Sequence, residues 1–332
     1  MSPATSYDID VVVTRGAAIE SVHRVSAAVV SRDALVGFSR DPEHRAYWRS
    51  CAKPFQLMPF LASDGLDELG WGADEIAMAC ASHGGEPEHV AIAERMLNDL
   101  GLEEGDLACG AAEPLAQRGQ RLLRESGDRP TRLHNNCSGK HAAMLARAQS
   151  ADWPTAGYDH LDHPVQQSIV QEIERWTSVA ASNMTIATDG CGVPVFGLPL
   201  EAMARAFARF AAAIHSGEEI PRRIGEAMLA NPFLVGGTDR FDTVLMEAAP
   251  GILCKIGAEG VHCAAIIETG VGVAIKVEDG ASRAQYPALL ALLQQLGALP
   301  NPLPHRLAEI ARKPVRDTRH EVVGEILVRA MM

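Results

Sequence analysis

The pattern of hydrophobic and polar residues changes twice along this chain. Near the start, short runs of Val, Ala and small polar residues predict the strands of a meander, at residues 11–15, 25–32 and 34–39. After Pro250 such runs return, separated by Gly-rich turns, and predict strands at 252–256, 261–269 and 271–277. Both ends of the chain therefore supply strands.

The middle of the chain has the spacing of amphipathic helices, with apolar residues three or four positions apart. Pro87 and Pro164 each stand at the start of such a stretch, where a missing N–H costs nothing. The predicted helices cover residues 87–102, 139–150, 164–176, 200–214 and 221–230, and another follows at 283–296. We therefore predict an α/β (α+β) fold with one antiparallel sheet built from both chain ends and a helix-rich lobe from the middle.

This pattern also predicts the domain organisation. Apolar residues make up 47% of the 332 residues, which is enough to bury a large core. We expect a single integrated catalytic unit over residues 1–332, with a sheet lobe at about 9–50 plus 251–332 and a helical lobe at about 51–250.

Composition and charge narrow the choice of partners. The net charge is −12, so nucleic acid is not expected, because polyanions bind to clustered Lys and Arg. No run reaches the roughly 18 apolar residues that cross a bilayer, and no signal-peptide pattern opens the chain, so we expect a cytoplasmic protein with no membrane partner. Seven cysteines, an odd number, argue against a secreted disulfide framework and leave thiol or metal-ligand roles.

The segment around Ser50 and Lys53 carries candidate nucleophilic chemistry. The two residues are three positions apart, so on a helix they face the same way. A serine hydroxyl needs a neighbouring base to take its proton, and a neutral lysine can be that base. Pro54 fits the first turn of a helix and would place Ser50 at the helix N-terminus. On its own, however, S-x-x-K is more often a solvated surface Ser and Lys.

Two further segments carry polar side chains of the same kind. In Ser82-His83-Gly84-Gly85-Glu86, the serine would relay a proton or act as a second nucleophile, whereas His83 and Glu86 would hold a substrate amine or cap the next helix. Lys255-Ile256-Gly257 is similar to the K-T-G motif that accompanies S-x-x-K, with Ile in place of Thr. The alternative for Lys255 is an ordinary strand-edge lysine.

Two dense polar patches interrupt the helical middle, at residues 133–141 and 188–194. Each contains a cysteine, Cys137 in the first and Cys191 in the second. Such patches are typical of loops at functional sites. Buried free cysteines and turn-forming Asn and Asp would give the same composition without a function.

Taken together, five segments resemble the asparaginase II family, the asparaginases with a serine β-lactamase-like fold. The likeness extends from about residue 9 to residue 328. Its motifs are Ser50-Cys-Ala-Lys-Pro, Cys80-Ala-Ser-His-Gly-Gly-Glu, Asn135-Asn-Cys-Ser-Gly-Lys-His, Asp189-Gly-Cys-Gly-Val-Pro and Val235-Gly-Gly-Thr-Asp-Arg. The resemblance implies a serine β-lactamase/class A glutaminase-like fold, hydrolysis of L-asparagine and a homodimer.

The resemblance also implies the catalytic residues. Ser50 with Lys53 and Ser82 with Lys255 would form two Ser–Lys pairs, and Asp189 would lie beside them. Because the match is loosest near the second lysine, Lys276 is the alternative to Lys255.

A zinc ion, one per chain, is implied as well. Its ligands would be Cys137, Lys140 and Cys191 with water completing the shell, and it would assist substrate binding. Two thiolates suit zinc, and the lysine must lose its proton to coordinate, so the affinity should weaken as pH falls.

Asparagine also carries an α-carboxylate and an α-amine, so its pocket needs a cation and an anion. Arg49, His83, Lys140 and His141 are the candidate cations, and Glu86 and Asp189 the candidate anions. The predicted substrate-binding residues are Arg49, His83, Glu86, Asn136 and His141.

These assignments predict acyl transfer. Ser50, deprotonated by neutral Lys53, would attack the side-chain carboxamide, ammonia would leave, and water would hydrolyse the β-aspartyl ester. Two alternatives remain open at this point. One is another serine amidohydrolase, such as a glutaminase or esterase, and the other is a non-catalytic regulator that binds zinc or an amino acid.

Overall fold

The computed structural model describes residues 3–331. Their strands lie mainly towards the two ends of the chain. The strands are β1 (Thr5–Ser6), β2 (Val11–Arg15), β3 (Ala18–His23), β4 (Val25–Ser31), β5 (Ala34–Ser39), β6 (Arg45–Tyr47), β7 (Thr185–Thr188), β8 (Pro194–Pro199), β9 (Ile252–Ile256), β10 (Val261–Ile266), β11 (Val271–Val277), β12 (Lys313–Arg316) and β13 (Val322–Val328).

The helices lie mainly in the middle of the chain, as predicted. They are α1 (Lys53–Leu61), α2 (Gly65–Glu68), α3 (Ala73–Cys80), α4 (Pro87–Asp99), α5 (Gln117–Ser126), α6 (Ser138–Ser150), α7 (Pro164–Thr177), α8 (Leu200–Ser216), α9 (Glu219–Ala230), α10 (Pro232–Val235), α11 (Phe241–Ala248), α12 (Ser282–Gln295) and α13 (His305–Ala311). No helix among residues 3–331 has the length and apolar character that crossing a membrane requires.

The chain divides into two compact units. The first contains the described residues up to Cys51, then Leu198–His215, and the described residues from Ala248 onwards. The second contains Ala52–Gly197 and Ser216–Glu247. One segment of the predicted helical lobe, most of α8, thus belongs to the first unit. A single integrated catalytic unit stays a prediction.

Strands from both ends of the chain build the first unit. They form two sheets, with the orders β1-β5-β4-β11-β10-β9 and β12-β13-β2-β3. Within these sheets β1 and β5 are parallel and the other neighbouring pairs are antiparallel. The mixed α/β architecture with antiparallel sheet drawn from both ends is therefore confirmed. The single sheet that we expected is two, because β2 pairs with β3 and β13 rather than with β4.

Helix α8 lies very close to β11 in the first unit. A Cβ atom on Gly272 would lie 2.1 Å from both the Ala204 oxygen and the Ala208 nitrogen of the α8 backbone. Only a residue without a side chain allows this approach. On another part of the unit, α12 contacts β2, β10, β11 and β13.

We expect Gly272→Ala to lower the free energy of unfolding substantially. The added methyl meets backbone atoms of α8, so the helix must move, and overpacking a core costs roughly 1–3 kcal/mol or more. Chemical unfolding measures the effect. Gly251→Ala is the matched control, because a Cβ there meets no atom within 4 Å. An unchanged midpoint for Gly272→Ala would contradict this packing.

In the second unit, α1, α3 and α6 pack against one another. The start of α6 lies directly against α3, since a Cβ atom on Gly139 would lie 2.4 Å from the Met78 carbonyl oxygen. Helix α3 ends two residues later at Cys80. This contact brings the polar patch at 133–141 next to the Ser82 loop. A hairpin of β7 and β8 holds the second patch, at 188–194.

Candidate functional site

Lys53 is the first residue of α1, and Pro54 occupies the first turn as predicted. The lysine side chain is only 1% exposed. Its Nζ donates to Ser82 Oγ at 3.2 Å, to the Asn136 carbonyl oxygen at 3.2 Å and to the Ala81 carbonyl oxygen. The three N–H bonds of an ammonium group thus have three acceptors. Lys53 and Ser82 thus contact each other, although the family resemblance places them in different Ser–Lys pairs.

Ser50 lies in the first unit, in a 3-10 helix over Arg49–Ala52, and is half-buried. The residue before it, Arg49, has a φ of 52°, which is uncommon for a residue with a side chain and costs of order 1 kcal/mol or more. Cys51 Sγ donates to the Lys255 carbonyl oxygen at 2.9 Å, so the Ser50 turn lies beside β9. Backbone strain of this kind is commonest at active sites.

The two candidate lysines for the second pair have different surroundings. Lys255 lies on β9 and is fully buried. Lys276 lies on β11 and is half-buried. Its Nζ donates to backbone carbonyl oxygens of Glu259 at 2.7 Å, of Glu278 at 3.4 Å and of Val277. Lys255 Nζ likewise donates to a backbone carbonyl oxygen, that of Ile256 at 3.2 Å, so the choice between the two lysines stays open. The pairs Ser50–Lys53 and Ser82–Lys255 stay predictions.

The Ser82 loop packs backbone to backbone against the loop that follows α10. Ser82 N donates to the Val235 carbonyl oxygen at 3.0 Å. A Cβ on Gly237 would lie 3.0 Å from the Gly84 Cα, so neither glycine has room for a side chain. The two glycine motifs noted in the sequence therefore meet and fix the position of Ser82.

Glu86 also links the Ser82 loop to the loop that follows α10. Its carboxylate accepts hydrogen bonds from Thr238 N at 2.7 Å, from Thr238 Oγ1 at 2.6 Å and from Arg118 at 2.8 Å. Burial raises the pKa of Glu86, but the Thr238 and Arg118 hydrogen bonds outweigh this and lower it. The residue also precedes α4, where its N–H donates to His89 Nδ1 at 3.2 Å. With these donors in place, the main role of the Glu86 carboxylate is to link the Ser82 loop to the loop that contains Thr238.

His83 and His141 are both fully buried. His83 accepts from Gly85 N at 3.1 Å and donates to Ser138 Oγ at 2.9 Å. Burial lowers the pKa of His83 well below its usual value, and neighbouring positive charges on His89 and Lys53 add to this. Burial, then the Lys140 charge, lowers the pKa of His141 to about 3. Both imidazoles are neutral at pH 7, so the cationic role expected for them is not supported.

Asn136 and Asp189 lie next to the cysteines. Asn136 accepts from Lys53 through its carbonyl oxygen, and its Oδ1 lies 3.3 Å from Cys137 Sγ. Asp189 follows β7 and accepts from Gly190 N at 2.8 Å. Its negative charge acts on Lys140 and Cys191. Both residues are thus positioned around the predicted metal ligands.

The three predicted zinc ligands come together in the second unit. Lys140 Nζ donates to Cys191 Sγ at 3.0 Å, and a hydrogen bond joins Cys137 to Cys191. All three side chains are buried, with at most 6% exposed. The Cys137 hydrogen bond and then the Lys140 charge, acting against burial, lower the pKa of Cys191 to about 4, whereas the same hydrogen bond and burial raise the pKa of Cys137 to about 12.

These residues fit a zinc ion. Two sulfur atoms and one amine nitrogen form a compact donor set, and one sulfur is a thiolate at neutral pH. Burial opposes the charge of Lys140, but the Cys191 and Cys137 sulfurs raise the pKa of Lys140. With a metal bound, the positive charge beside the Cys191 thiolate would come from the metal and not from the Lys140 ammonium group.

Three side chains at this site were not predicted from the sequence. Thr238 lies in the Val235-Gly-Gly-Thr motif. The motif indicated a loop at the site but gave no role for the Thr238 side chain. Arg118 lies on the polar helix α5, and Tyr158 lies in a loop before α7. Tyr158 contacts His141, with 2.7 Å between its hydroxyl and Nδ1.

Comparison with known proteins identifies a family. The family model described as L-asparaginase II matches residues 11–328. No curated protein matches the chain.

Several solved structures are similar to this chain. Mglu in its native form is 15% identical with a TM-score of 0.47, and the match covers 82% of this chain and 65% of that chain. Mglu in its glutamate form is 15% identical with a TM-score of 0.47, covering 83% and 61%. A probable glutaminase from Bacillus subtilis, complexed with 6-diazo-5-oxo-L-norleucine, is 11% identical with a TM-score of 0.38, covering 83% and 85%. The chain thus spans less than two thirds of the length of Mglu.

Proposed function

Because this chain belongs to the L-asparaginase II family, we propose that it hydrolyses the side-chain amide of L-asparagine to L-aspartate and ammonia. The observation that carries the proposal is the buried Lys53, which ends the S-x-x-K motif and contacts the hydroxyl of Ser82 at 3.2 Å. A buried amine in contact with a serine hydroxyl fits the chemistry of a Ser–Lys hydrolase, and the choice of Ser50 as the nucleophile rests on the S-x-x-K motif of the family.

In the proposed mechanism Ser50 is the nucleophile. Its Oγ proton moves to the neutral amine of Lys53 as the Oγ–C bond forms at the carboxamide carbon. Collapse of the tetrahedral adduct breaks the C–N bond, and the proton returns to the leaving nitrogen, which departs as ammonia. Water then adds to the β-aspartyl ester of Ser50, releasing L-aspartate and restoring the serine hydroxyl.

Ser82 is proposed to move protons during these steps. When Lys53 is an ammonium ion, it donates to Ser82 Oγ, and when Lys53 is neutral, the Ser82 hydroxyl can donate to Nζ instead. Lys255 is proposed as the second base, acting on Ser82. Asp189 and Asn136 are proposed to hold the site and the substrate in position.

Arg49 is the cation proposed for the α-carboxylate of asparagine. It is half-buried and lies directly before Ser50. Of the cations predicted from the sequence, His83 and His141 are neutral and Lys140 is assigned to zinc, so Arg49 is the one that remains.

Cys137, Lys140 and Cys191 are proposed to hold one zinc ion. When bound, zinc would supply a Lewis-acidic position that an oxygen atom of the substrate could occupy in place of water. A homodimer is also proposed, on the family resemblance alone.

Trapping the acyl-enzyme tests this proposal. Protein mixed with L-asparagine is quenched in acid during turnover, digested, and examined by mass spectrometry for a β-aspartyl ester. We expect the ester on the peptide that contains Ser50. An ester on the Ser82 peptide would transfer the nucleophile role to Ser82, and ammonia release with no ester on either peptide would contradict acyl transfer.

A further inference from the structure

A small cavity lies among the helices of the second unit. Its walls come from α1, α6 and α7 and from the end of α3. The cavity has a volume of about 10 Å³, which is close to the smallest volume that holds one water molecule inside a protein. Two polar side chains, Gln56 from α1 and Arg147 from α6, are among those that line it. The helices thus leave room for one small molecule beside two polar groups.

Gln56 supplies a hydrogen-bond acceptor that has no donor. The residue lies on α1, one turn after Lys53, and is 8% exposed. Within residues 3–331 no donor bonds to its buried Oε1. Buried polar atoms almost always have a hydrogen-bond partner, which is either a protein group or an ordered water. The Gln56 oxygen therefore calls for a donor from outside the chain.

Arg147 supplies a hydrogen-bond donor that has no acceptor. The residue lies on α6, two turns after Lys140, and its guanidinium lies over the Trp153 ring, 4.6 Å from the ring centroid. Its Nε is buried, and none of the described residues accepts from it. Burial lowers the pKa of Arg147, but a guanidinium keeps its proton in proteins. The Nε–H group is therefore a permanent donor that calls for an acceptor.

These two atoms limit what the cavity can hold. Gln56 Oε1 requires a donor and Arg147 Nε–H requires an acceptor, and a water molecule is both. A chloride ion would accept from Arg147 but has no proton for Gln56. A metal cation would bind the Gln56 oxygen but would face the positive charge of Arg147. An apolar molecule would leave both polar atoms without a partner.

We propose that this cavity binds one structural water molecule, which donates to Gln56 Oε1 and accepts from Arg147 Nε–H. The water links α1 to α6 through hydrogen bonds that the two side chains do not make directly. The first turns of these helices carry Lys53 and Lys140, so the water helps to hold together the helix with the proposed base and a helix with a proposed zinc ligand. Binding of the water does not depend on the proposed reaction.

NMR transfer of magnetisation from water tests the proposal on the full-length protein. The Arg147 Nε–H signal is assigned from its loss in Arg147→Met. A bound water gives this proton cross-peaks of opposite sign in NOE and ROE spectra, whereas proton exchange with solvent gives the same sign in both. We expect opposite signs at Arg147 Nε–H in the parent protein.

A crystal structure at high resolution is the second measurement. We expect one ordered water oxygen at about 2.7–3.2 Å from both Gln56 Oε1 and Arg147 Nε. This measurement requires no variant, so it does not depend on whether a substituted protein folds.

Variants make the test specific. Gln56→Leu removes the acceptor and leaves Arg147 in place, so the water loses one of its two partners and the cross-peaks of Arg147 Nε–H should disappear. Gln171→Leu changes an exposed glutamine on α7 and should keep these cross-peaks. Because both side chains bond to the same water, Gln56→Leu with Arg147→Met should lower the unfolding midpoint by less than the two single decreases added together.

Several results would overturn the proposal. These are a parent protein whose Arg147 Nε–H shows no cross-peak to bound water, a Gln56→Leu protein with the cross-peaks of the parent, or a crystal structure with no water between the two atoms. Xenon bound in the cavity would show that it is dry and apolar, and an Arg147 Nε–H shift that titrates with chloride would show an anion site instead. Failure of asparagine hydrolysis would be a separate result, because none of these measurements requires turnover.

Discussion

Replacing Lys53 by methionine should lower kcat for ammonia release from L-asparagine by about 10³-fold or more. Methionine fills a similar volume but has neither a lone pair on nitrogen nor a donor, so the serine loses its base and Ser82 loses its partner. Steady-state measurement of ammonia release gives the effect. The affinity for L-aspartate, measured by calorimetry, should fall much less, because the proposed role of Lys53 is in proton transfer.

Two further variants distinguish a loss of catalysis from a loss of folding. Lys53→Arg keeps a positive charge but cannot act as a base, so it should be as inactive as Lys53→Met. Lys313→Met changes an exposed lysine on β12 and should leave turnover unchanged. Turnover of the Lys53 variants within about tenfold of the parent would remove Lys53 from the mechanism.

Zinc affinity should rise steeply with pH, by about 100-fold per pH unit around neutrality. Cys191, with a pKa of about 4, is already a thiolate there, whereas Cys137, with a pKa of about 12, and Lys140 still hold protons. Zinc must displace both protons, and each proton displaced contributes tenfold per pH unit. Fewer protons compete as pH rises, so the affinity increases in that direction.

Chelator competition at several pH values around neutrality measures this slope. Calorimetry in buffers of different ionisation enthalpy counts the protons released. Lys140→Met should bind zinc more weakly and release one proton fewer, so its affinity should rise only about tenfold per pH unit. An affinity of the parent protein that does not change with pH would contradict coordination by the Lys140 amine.

Much of the fold follows from local sequence pattern. The predicted strands at β2, β5, β9 and β11 have the bounds of the structure. Strand β3 was not predicted, because most of its side chains are exposed and show no apolar run. Helix α5 was not predicted either, because it is a polar helix in which Gly119 and Leu123 are the buried residues. An apolar pattern can reveal only those elements that bury an apolar face.

The candidate site was predictable where its residues are close in sequence or share a family motif. Cys137 and Lys140 are three residues apart at the start of one helix, and they come together with Cys191 as the resemblance implied. The contact of Lys53 with Ser82 spans 29 positions and depends on how α1 packs against α3.

Two other features had no local signal at all. Glu86 and Thr238 are 152 positions apart, so the hydrogen bonds of the carboxylate can be recognised only in the folded structure. The neutral state of His141 is set by its burial, which the sequence could not supply.

The most direct test of the central claim is ammonia release from L-asparagine by the purified protein beside its Ser50→Ala variant, with L-glutamine as a second substrate. We expect release from asparagine that is lost in the variant, with little release from glutamine. Full activity in Ser50→Ala, or no release from asparagine by the zinc-loaded parent protein, would contradict it.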